Sequence, residues 1–330
     1  MENGLRLNPD VLPTLRCPCC KSECRLIESD RFECVNKSCR GRFPIVDGIP
    51  VLINESNSVF DIQDFQKKQS TYRQLGDAGR KLPLLRRIRK SLQRLMPSLG
   101  QNPKAAKNYL AFAELLRRDN PNPTVLVIGG SVLGAGMQGL LNSSIRLIES
   151  DISFGPRTSL ICDAHDIPFA DGAFDGVVAQ AMLEHVVDPF RCVEEIHRVL
   201  KPNGLVYAET PFMQQVHGGA YDFHRFTRRG HRRLFRRFEE IESGAACGTG
   251  MSLAWAYKFF LRSLTKSEQV AWCLQSVASL TAFWLPYLDA HLIDKPFTLD
   301  GASAFYFIGR RSNHVLSDRE LVRTYPAASP

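Results

Sequence analysis

The sequence lacks any run of 18 purely apolar residues, so it offers no ordinary transmembrane helix. The nearest approach, residues 270–288, is interrupted by the polar side chains of Gln275, Ser276, Ser279 and Thr281. We interpret this stretch as a helical substrate cap or an interfacial helix rather than a membrane span. The chain also lacks an internal repeat. Its 330 residues, 44% hydrophobic and 23% charged, are ordinary for a globular protein of two domains and a linker.

A buried strand followed by a glycine-rich turn is the first strong pattern. Val125 to Ile128 form an uninterrupted aliphatic run, typical of a strand covered on both faces by helices. Glycines follow at once, where a backbone bends tightly and a ligand approaches closely, at Gly129, Gly130, Gly134 and Gly136. Such turns also serve dinucleotide enzymes or simply close a bend.

The next segments favour a cofactor-binding sheet. Asp151 ends a second strand, and Glu149 lies two residues earlier on the same face of that strand. Asp163 follows a third strand, where a turn or a helix cap is an alternative explanation for the acid. Residues 174–178 predict a fourth strand, and Asp188-Pro189 predicts the start of the next helix. This alternation predicts an α/β, doubly wound, Rossmann-like sheet.

These motifs together resemble a class I S-adenosylmethionine-dependent methyltransferase of the small-molecule or glycan-type branch. The resemblance implies that Asp151 binds the ribose hydroxyls, that Asp163 accepts from the adenine amine, and that the Ala164 backbone meets the ring edge. It implies further cofactor contacts from the glycine turn and from the loop after the fourth strand, here Gly129, Gly130, Gly134 and Gln180.

The sequence departs from that pattern in two places. Val127 replaces the acid usual in the first strand, and the segment 131–133 loosens the usual glycine spacing, so contacts to the methionine half of the cofactor are in question. The connection from Asp151 to Ile161 is too short for a normal crossover helix. We expect this face of the sheet to be thin or covered by another segment.

Six cysteines near the N-terminus predict a metal site. Paired thiolates on successive turns suit tetrahedral zinc, and the best assignment is Cys17, Cys20, Cys34 and Cys39. Cys19 and Cys24 are possible substitutes. A disulfide framework is the alternative, disfavoured because no secretory signal precedes the cysteines. The run ending Asp-Gly-Ile-Pro-Val-Leu resembles the small Trm112-like zinc-ribbon domain that is fused ahead of some methyltransferases.

A loop rich in histidine follows the strand ending at Phe212. It resembles the Asp-x-x-Arg-Phe-Thr segment of methyltransferases that act on glycans and related metabolites. His217 and His224 are candidate bases because imidazole titrates near neutrality, and Asp222 is a candidate to orient one of them. Glu184 and His185 are a weaker candidate pair. An Asn-Pro-Pro-Tyr motif for methylation of amino groups is absent, which favours oxygen methylation.

The net charge of +8 is concentrated in two segments. One, between Arg80 and Arg94, predicts an amphipathic basic helix. The other runs from Arg225 to Arg237. Either segment could be a solvated surface. Either could instead bind an acidic partner, such as RNA, an anionic lipid surface or a nucleotide-linked sugar. The absence of an aromatic-rich RNA-recognition signature weakens the RNA option, and peripheral membrane contact stays open.

The predicted organisation is a zinc ribbon over residues 1–53, a basic helical linker over 54–120, a methyltransferase domain over 121–312 with a helical cap insertion at about 252–293, and a loose tail over 313–330. We expect a cytoplasmic enzyme that binds S-adenosylmethionine and structural Zn²⁺ and methylates a hydroxyl of a small-molecule or saccharide-type acceptor. An RNA methyltransferase and a catalytically silent scaffold are the alternatives.

Overall fold

The computed structural model describes residues 4–28, 30–69, 96–141 and 144–323. The predicted basic helix between Arg80 and Arg94 lies outside these residues. In the described part of the chain, no helix is both long enough and apolar enough to cross a membrane.

One mixed sheet of eleven strands organises the chain, in the order β1-β2-β3-β4-β7-β6-β5-β8-β9-β11-β10. The strands from β4 to β9 in that order pair in parallel, and β11 and β10 are antiparallel. The strands are β1 (Cys24–Ile27), β2 (Arg31–Cys34), β3 (Arg42–Val46), β4 (Ile49–Leu52), β5 (Thr124–Ile128), β6 (Arg146–Asp151), β7 (Leu160–Cys162), β8 (Phe174–Gln180), β9 (Leu200–Pro211), β10 (Phe238–Cys247) and β11 (Ala304–Arg311).

Helices cover both faces of the central strands, as the sequence predicts. Leu126 and Ile128 pack on the same side as the apolar residues of the helix Pro189–Val199, whereas Val125 and Val127 pack with the helix Ala105–Asp119. The helices are α1 (Ile62–Gln66), α2 (Ala105–Asp119), α3 (Gln138–Leu141), α4 (Pro189–Val199), α5 (Arg228–Leu234), α6 (Thr249–Ser263), α7 (Glu268–Ala282), α8 (Asp289–Leu292), α9 (Thr298–Gly301) and α10 (Asp318–Arg323).

The N-terminal segment covers the part of the sheet that has no crossover helix. Residues 152–159, which connect β6 to β7 and are all described, contain no helix. Leu7, Val11 and Leu15 pack into the core beside Leu160 on one face. On the other face, Phe65 of α1 packs with the β4 residues and Ile161. The short connection is therefore compensated from the N-terminal end of the chain.

Strands β1 to β4, from the cysteine-rich N-terminal region, are continuous with the central parallel strands. β4 pairs in parallel with β7, placing Val51 opposite Ile161. The Arg16 amide donates to the Pro168 carbonyl at 2.9 Å, and Lys21 forms an ion pair with Glu195 at 2.9 Å. The N-terminal region is thus packed into the same structure as the site described below.

The C-terminal end completes the sheet and contains one departure from the sequence predictions. β11 lies between β9 and β10, so β10 forms the edge of the sheet. The segment after Ser312, predicted as a loose tail, includes α10, whose Leu321 is buried. The predicted insertion at 252–293 contains most of α6 and the helices α7 and α8.

Candidate active site

A cavity of about 770 Å³ lies at the carboxyl ends of the central parallel strands. Residues at or just after the ends of β5 to β9 line it, as expected for a ligand site in an open α/β sheet. Asp151 and Asp163 belong to strands on one side of β5, and Glu184 and His185 follow β8 on the other side. One cavity therefore reaches across the point where the strand order changes direction.

The glycine turn after β5 borders this cavity. Gly129 has a φ of +82°, a conformation that favours glycine, and the amides of Gly129 and Gly130 both donate to the Ser150 carbonyl at 2.9 Å. At Gly134 a Cβ atom would lie 2.0 Å from Gln180 Oε1, so a side chain there would displace the end of the Gln180 side chain. The positive φ of Gly129 is the feature of this turn that favours glycine.

Asp151 faces the cavity from the end of β6 and is 8% exposed. Its carboxylate accepts hydrogen bonds from the Ser131 amide at 2.9 Å and the Ser153 amide at 2.8 Å. These bonds fix the carboxylate beside the glycine turn. Glu149, two residues earlier, is instead held by Arg157 at 2.5 Å, and burial raises the pKa of its carboxyl.

Asp163 follows β7 and is held from two sides. It accepts from the Ser58 hydroxyl at 2.5 Å and from His165 Nδ1 at 2.5 Å, while His165 Nε2 accepts from the Asp188 amide at 3.0 Å. Burial opposes ionisation, but the bonds from His165 and Ser58 prevail and lower the pKa of the Asp163 carboxyl. Asp163 is therefore a fixed carboxylate in the cavity wall, and the adjacent Ala164 also lines the cavity.

A segment that sequence reasoning did not assign to the site forms another wall. Residues 56–60, which follow the ribbon, line the cavity. Ser58 binds Asp163, and the Phe60 ring stacks on Tyr221 with centroids 5.5 Å apart. No residue pattern in this polar stretch signals such a role. It brings the N-terminal region into direct contact with the candidate site.

Gln180 lies at the end of β8 in a polar network around a buried acid, Glu209. Its side-chain amide donates to Glu209 Oε2 at 3.0 Å, and Asn102 donates to the same oxygen at 2.9 Å. Tyr207 donates to the other oxygen. Burial raises the pKa of the Glu209 carboxyl. Glu209 was not singled out from sequence, although an acid ending a strand at the ligand edge was a usable signal.

The histidine-bearing loop after β9 is tied down by Asp222. The Asp222 carboxylate accepts from the amides of His217 at 2.7 Å and Gly218 at 2.9 Å, and it pairs with Arg225 at 2.5 Å. Burial opposes ionisation of this carboxyl, but the Arg225 guanidinium and the two amides lower its pKa. Asp222 thus holds the backbone that carries His217.

Of the two predicted histidines, only His217 approaches the cavity wall. Its Nε2 lies 3.7 Å from Glu184 Oε1, and the Nε2 of His185 lies at the same distance from that oxygen. Burial opposes protonation of His217, but Glu184 prevails and raises its pKa, whereas burial lowers the pKa of His185. His224 faces elsewhere, with Nε2 3.1 Å from the Val187 carbonyl. The pair ranked weaker from sequence, Glu184 and His185, lines the cavity.

Replacing Asp222 should loosen this loop. We expect Asp222→Ala to lower the free energy of unfolding by about 1–3 kcal/mol, since three donors lose a buried acceptor. Amide hydrogen exchange at His217 and Gly218 should rise in parallel. Asp171→Ala is the matched control, because its pair with Arg198 has a 79% exposed carboxylate and should contribute under about 0.5 kcal/mol. Equal effects of the two variants would refute the anchoring role.

The N-terminal cysteines converge as the sequence predicts. The sulfurs of Cys17 and Cys39 are 3.6 Å apart and those of Cys20 and Cys34 are 3.5 Å apart. All four sulfurs lie within 4.8 Å of one another. Thiolates bound at about 2.3 Å around a tetrahedral zinc ion lie about 3.8 Å apart, so the cluster is compatible with zinc. Cys19 is exposed and lies outside this group.

Comparison with known proteins agrees with the architecture. Residues 141–208 match the family model described as a methyltransferase domain. The α/β sheet described above is compatible with a methyltransferase fold over this range. The matched range contains Asp151, Asp163 and Glu184, whereas the glycine turn and the loop carrying His217 lie outside it.

The similarity to curated proteins is local. The chain is 41% identical over 58 residues to the mitochondrial arginine-hydroxylase NDUFAF5 of Rattus norvegicus, covering 18% of this chain and 16% of that protein. It is 31% identical over 96 residues to the demethylmenaquinone methyltransferase of Symbiobacterium thermophilum, covering 28% and 38%. The chain therefore spans less than half the length of these relatives. We infer the reaction from the residues around the cavity, not from these matches.

Among solved structures, the chain is similar to one from the complex between the Haloferax volcanii Trm112 methyltransferase activator and a candidate methyltransferase. The identity is 19%, the TM-score is 0.39, and the alignment covers 68% of this chain and 94% of that one.

Proposed function

We propose that this protein is an S-adenosylmethionine-dependent methyltransferase that methylates a hydroxyl of a small-molecule or saccharide-type acceptor. The observation that carries the proposal is one cavity lined by the carboxylates that follow β6 and β7 and by Glu184 and His185 after β8, with His217 from the loop after β9 beside Glu184. The first group suits the hydroxyls and amine of an adenosine. The second group faces the place where an acceptor would lie.

The residues present fit this cofactor. Asp151 is a buried carboxylate at the position that binds ribose in this fold, and Asp163 is an ionised acceptor for the adenine amine. Gln180 Oε1 is buried and has no hydrogen-bond partner among the described residues, so it offers a further acceptor beside Gly134. When bound, S-adenosylmethionine supplies an electrophilic methyl group on a positively charged sulfur.

The protein's own contribution is positioning and proton removal. The acceptor oxygen forms a bond to the methyl carbon while the carbon–sulfur bond breaks, and the electron pair of that bond stays on sulfur. The hydroxyl loses its proton at the Glu184, His185 and His217 cluster. Asp222 acts indirectly by holding the backbone of His217, and His224 is too far turned away to take part.

Charge distribution favours a small acceptor over RNA. Four of the seven arginines from Arg225 to Arg237 form ion pairs with carboxylates of the described residues. Arg225 binds Asp222, Arg232 binds Glu240 at 2.7 Å, and Arg236 lies 3.4 Å from Asp318. These arginines stabilise the loop and α5, which leaves less positive charge for phosphate.

We further propose that the four-cysteine cluster holds a structural zinc ion. Four thiolates complete a tetrahedral shell and leave no position for substrate, as in structural zinc sites. Cys17 is fully buried and belongs to the same core as Ile167 and Phe169, so the metal would stabilise the packing between the ribbon and the sheet.

Transfer of a labelled methyl group tests the proposed function. The protein and labelled S-adenosylmethionine are incubated with fractionated small metabolites, saccharide fractions and total RNA in separate reactions. We expect label in an alkali-stable ether product of a small-molecule or saccharide fraction, and loss of it in Asp151→Ala. Label confined to RNA, with binding that falls steeply as salt rises, would favour the RNA alternative instead. No transfer to any fraction would support the silent scaffold.

A further inference from the structure

Glu184 is a buried carboxylate with an unusual environment. The residue is 0% exposed, and neither carboxylate oxygen has a hydrogen-bond partner in the described part of the chain. A buried carboxylate that accepts no hydrogen bond is costly in free energy, because it loses contact with water and the two imidazoles at 3.7 Å are too distant to replace that contact fully. Its surroundings therefore point to a positively charged species that this carboxylate binds.

Two imidazoles face the same carboxylate. The Nε2 atoms of His185 and His217 each lie 3.7 Å from Glu184 Oε1, too far for a hydrogen bond. The three ligand atoms lie within 4.8 Å of one another, and the two rings are 5.0 Å apart between centroids. Atoms at these separations can surround a common ion without contacting one another.

The outer nitrogens of both histidines are already occupied. His185 Nδ1 lies 2.8 Å from the Tyr221 carbonyl and His217 Nδ1 lies 3.2 Å from the Gln215 carbonyl. A carbonyl oxygen only accepts, which favours a proton on each Nδ1, although Arg225 Nη2 also lies 3.5 Å from His217 Nδ1. In the neutral ring with the proton on Nδ1, Nε2 presents a lone pair toward Glu184. Metal-binding histidines have this arrangement, in which the distal N–H is held by a carbonyl and fixes the ring.

We propose that Glu184, His185 and His217 bind a divalent first-row transition-metal cation at the acceptor end of the cavity. Imidazole and carboxylate ligands suit such ions, and two positive charges offset the buried carboxylate. Three protein ligands leave coordination positions for exogenous oxygen atoms. Glu184 and His185 line the cavity, so these positions open toward it.

This inference rests on the proposed function and specifies how the acceptor is held. An acceptor with neighbouring hydroxyls, such as a vicinal diol of a saccharide, binds the cation through its oxygens. Coordination lowers the pKa of a bound hydroxyl, whose proton then leaves to solvent water, and the oxygen attacks the methyl carbon. The three residues then promote the loss of the proton at this cluster by holding the cation, and solvent water rather than one of their side chains accepts the proton.

Binding of Mn²⁺ alone tests the proposal, without cofactor or acceptor. Protein whose zinc content has been verified is dialysed against a mild chelator and titrated with Mn²⁺, and the electron paramagnetic resonance signal of the free ion is followed. We expect one Mn²⁺ per chain. Glu184→Gln and His217→Asn should each weaken binding by about 100-fold or more, since losing even an outer-shell partner costs about 10–100-fold.

His224→Asn is the matched control, because this histidine lies in the same loop but faces the Val187 carbonyl. It should bind Mn²⁺ within about twofold of the unaltered protein. Thermal unfolding and S-adenosylhomocysteine binding confirm that each variant is folded. If neither Mn²⁺ nor Co²⁺ binds, or if Glu184→Gln binds either ion as tightly as the unaltered protein, the metal site is refuted. If S-adenosylhomocysteine does not bind, the proposed function is refuted instead. The Mn²⁺ titration still tests the metal site in that case, because it uses no cofactor.

Discussion

Asp151→Ala is expected to weaken S-adenosylhomocysteine binding by about 100-fold or more, because in the proposed function this carboxylate accepts two charge-assisted hydrogen bonds from the ribose hydroxyls, each worth about 1.5–3 kcal/mol. The carboxylate is buried at the cavity edge and is oriented by the Ser131 and Ser153 amides. Its position is therefore set before the ligand arrives, which increases the loss when it is removed. Isothermal titration calorimetry measures the change.

Glu149→Gln provides the matched control on the same strand. Glu149 is held by Arg157 and does not line the cavity, and glutamine keeps an acceptor for that arginine. Its dissociation constant should stay within about threefold of the unaltered protein. Asp151→Asn separates shape from charge, because an amide keeps one acceptor oxygen. Equal affinity of Asp151→Ala and Glu149→Gln would show that Asp151 does not bind the cofactor.

Loss of the metal from the cysteine cluster should have the second largest effect. In Cys20→Ser/Cys34→Ser we expect loss of bound zinc and unfolding of the ribbon, since structural zinc supplies about 10–16 kcal/mol in small domains. That amount matches or exceeds the whole stability of a typical domain, about 5–15 kcal/mol. Zinc content by mass spectrometry and thermal unfolding measure both changes.

The loss should extend to cofactor binding. Ribbon residues Phe32 and Phe43 share a core with Phe169, and the segment after the ribbon supplies Ser58 to Asp163. Cofactor affinity should therefore fall at least about tenfold when the ribbon unfolds, as expected for one lost charge-assisted hydrogen bond. Cys19→Ser is the control, because Cys19 is exposed and outside the cluster. A double variant with full zinc content, or with unaltered cofactor affinity, would contradict this coupling.

The parts of the molecule that sequence predicted well depend on local patterns. The aliphatic run of β5, its glycine turn and the acid ending β6 are close in sequence, and strand geometry places such residues at one edge of a sheet. The four cysteines could be grouped because zinc needs paired thiolates on short turns, even with four residues between Cys34 and Cys39. The Asp188 cap, which accepts from the Arg191 amide, follows from helix chemistry alone.

The features that the sequence did not predict depend on contacts between segments that are far apart in the chain. Ser58 reaches Asp163 across 105 residues, and nothing in the residues around Ser58 indicates that distance. His217 and His224 look equivalent in sequence, but the Asp222 bonds turn only His217 toward Glu184. Strand order at the C-terminal end was also inaccessible, because β11 enters between two strands that precede it in the chain.

The face of the sheet beside β6 and β7 includes one feature that the sequence predicted and one that it did not. A connection of eight residues between β6 and β7 was visibly too short for a helix, so a gap in the covering layer was predictable. What fills it was not, because Leu7 and Val11 lie some 150 residues earlier in a segment without strong periodicity. Burial of that segment decides its place, and burial depends on the complete fold.

The central claim is that the cavity over the carboxyl ends of the strands binds an adenosyl sulfonium cofactor. Calorimetric titration of the purified, zinc-loaded protein with S-adenosylhomocysteine tests it most directly. We predict one site per chain with a dissociation constant on the order of micromolar, accompanied by a rise in the unfolding temperature. Absence of both heat and thermal stabilisation at millimolar ligand would contradict the account.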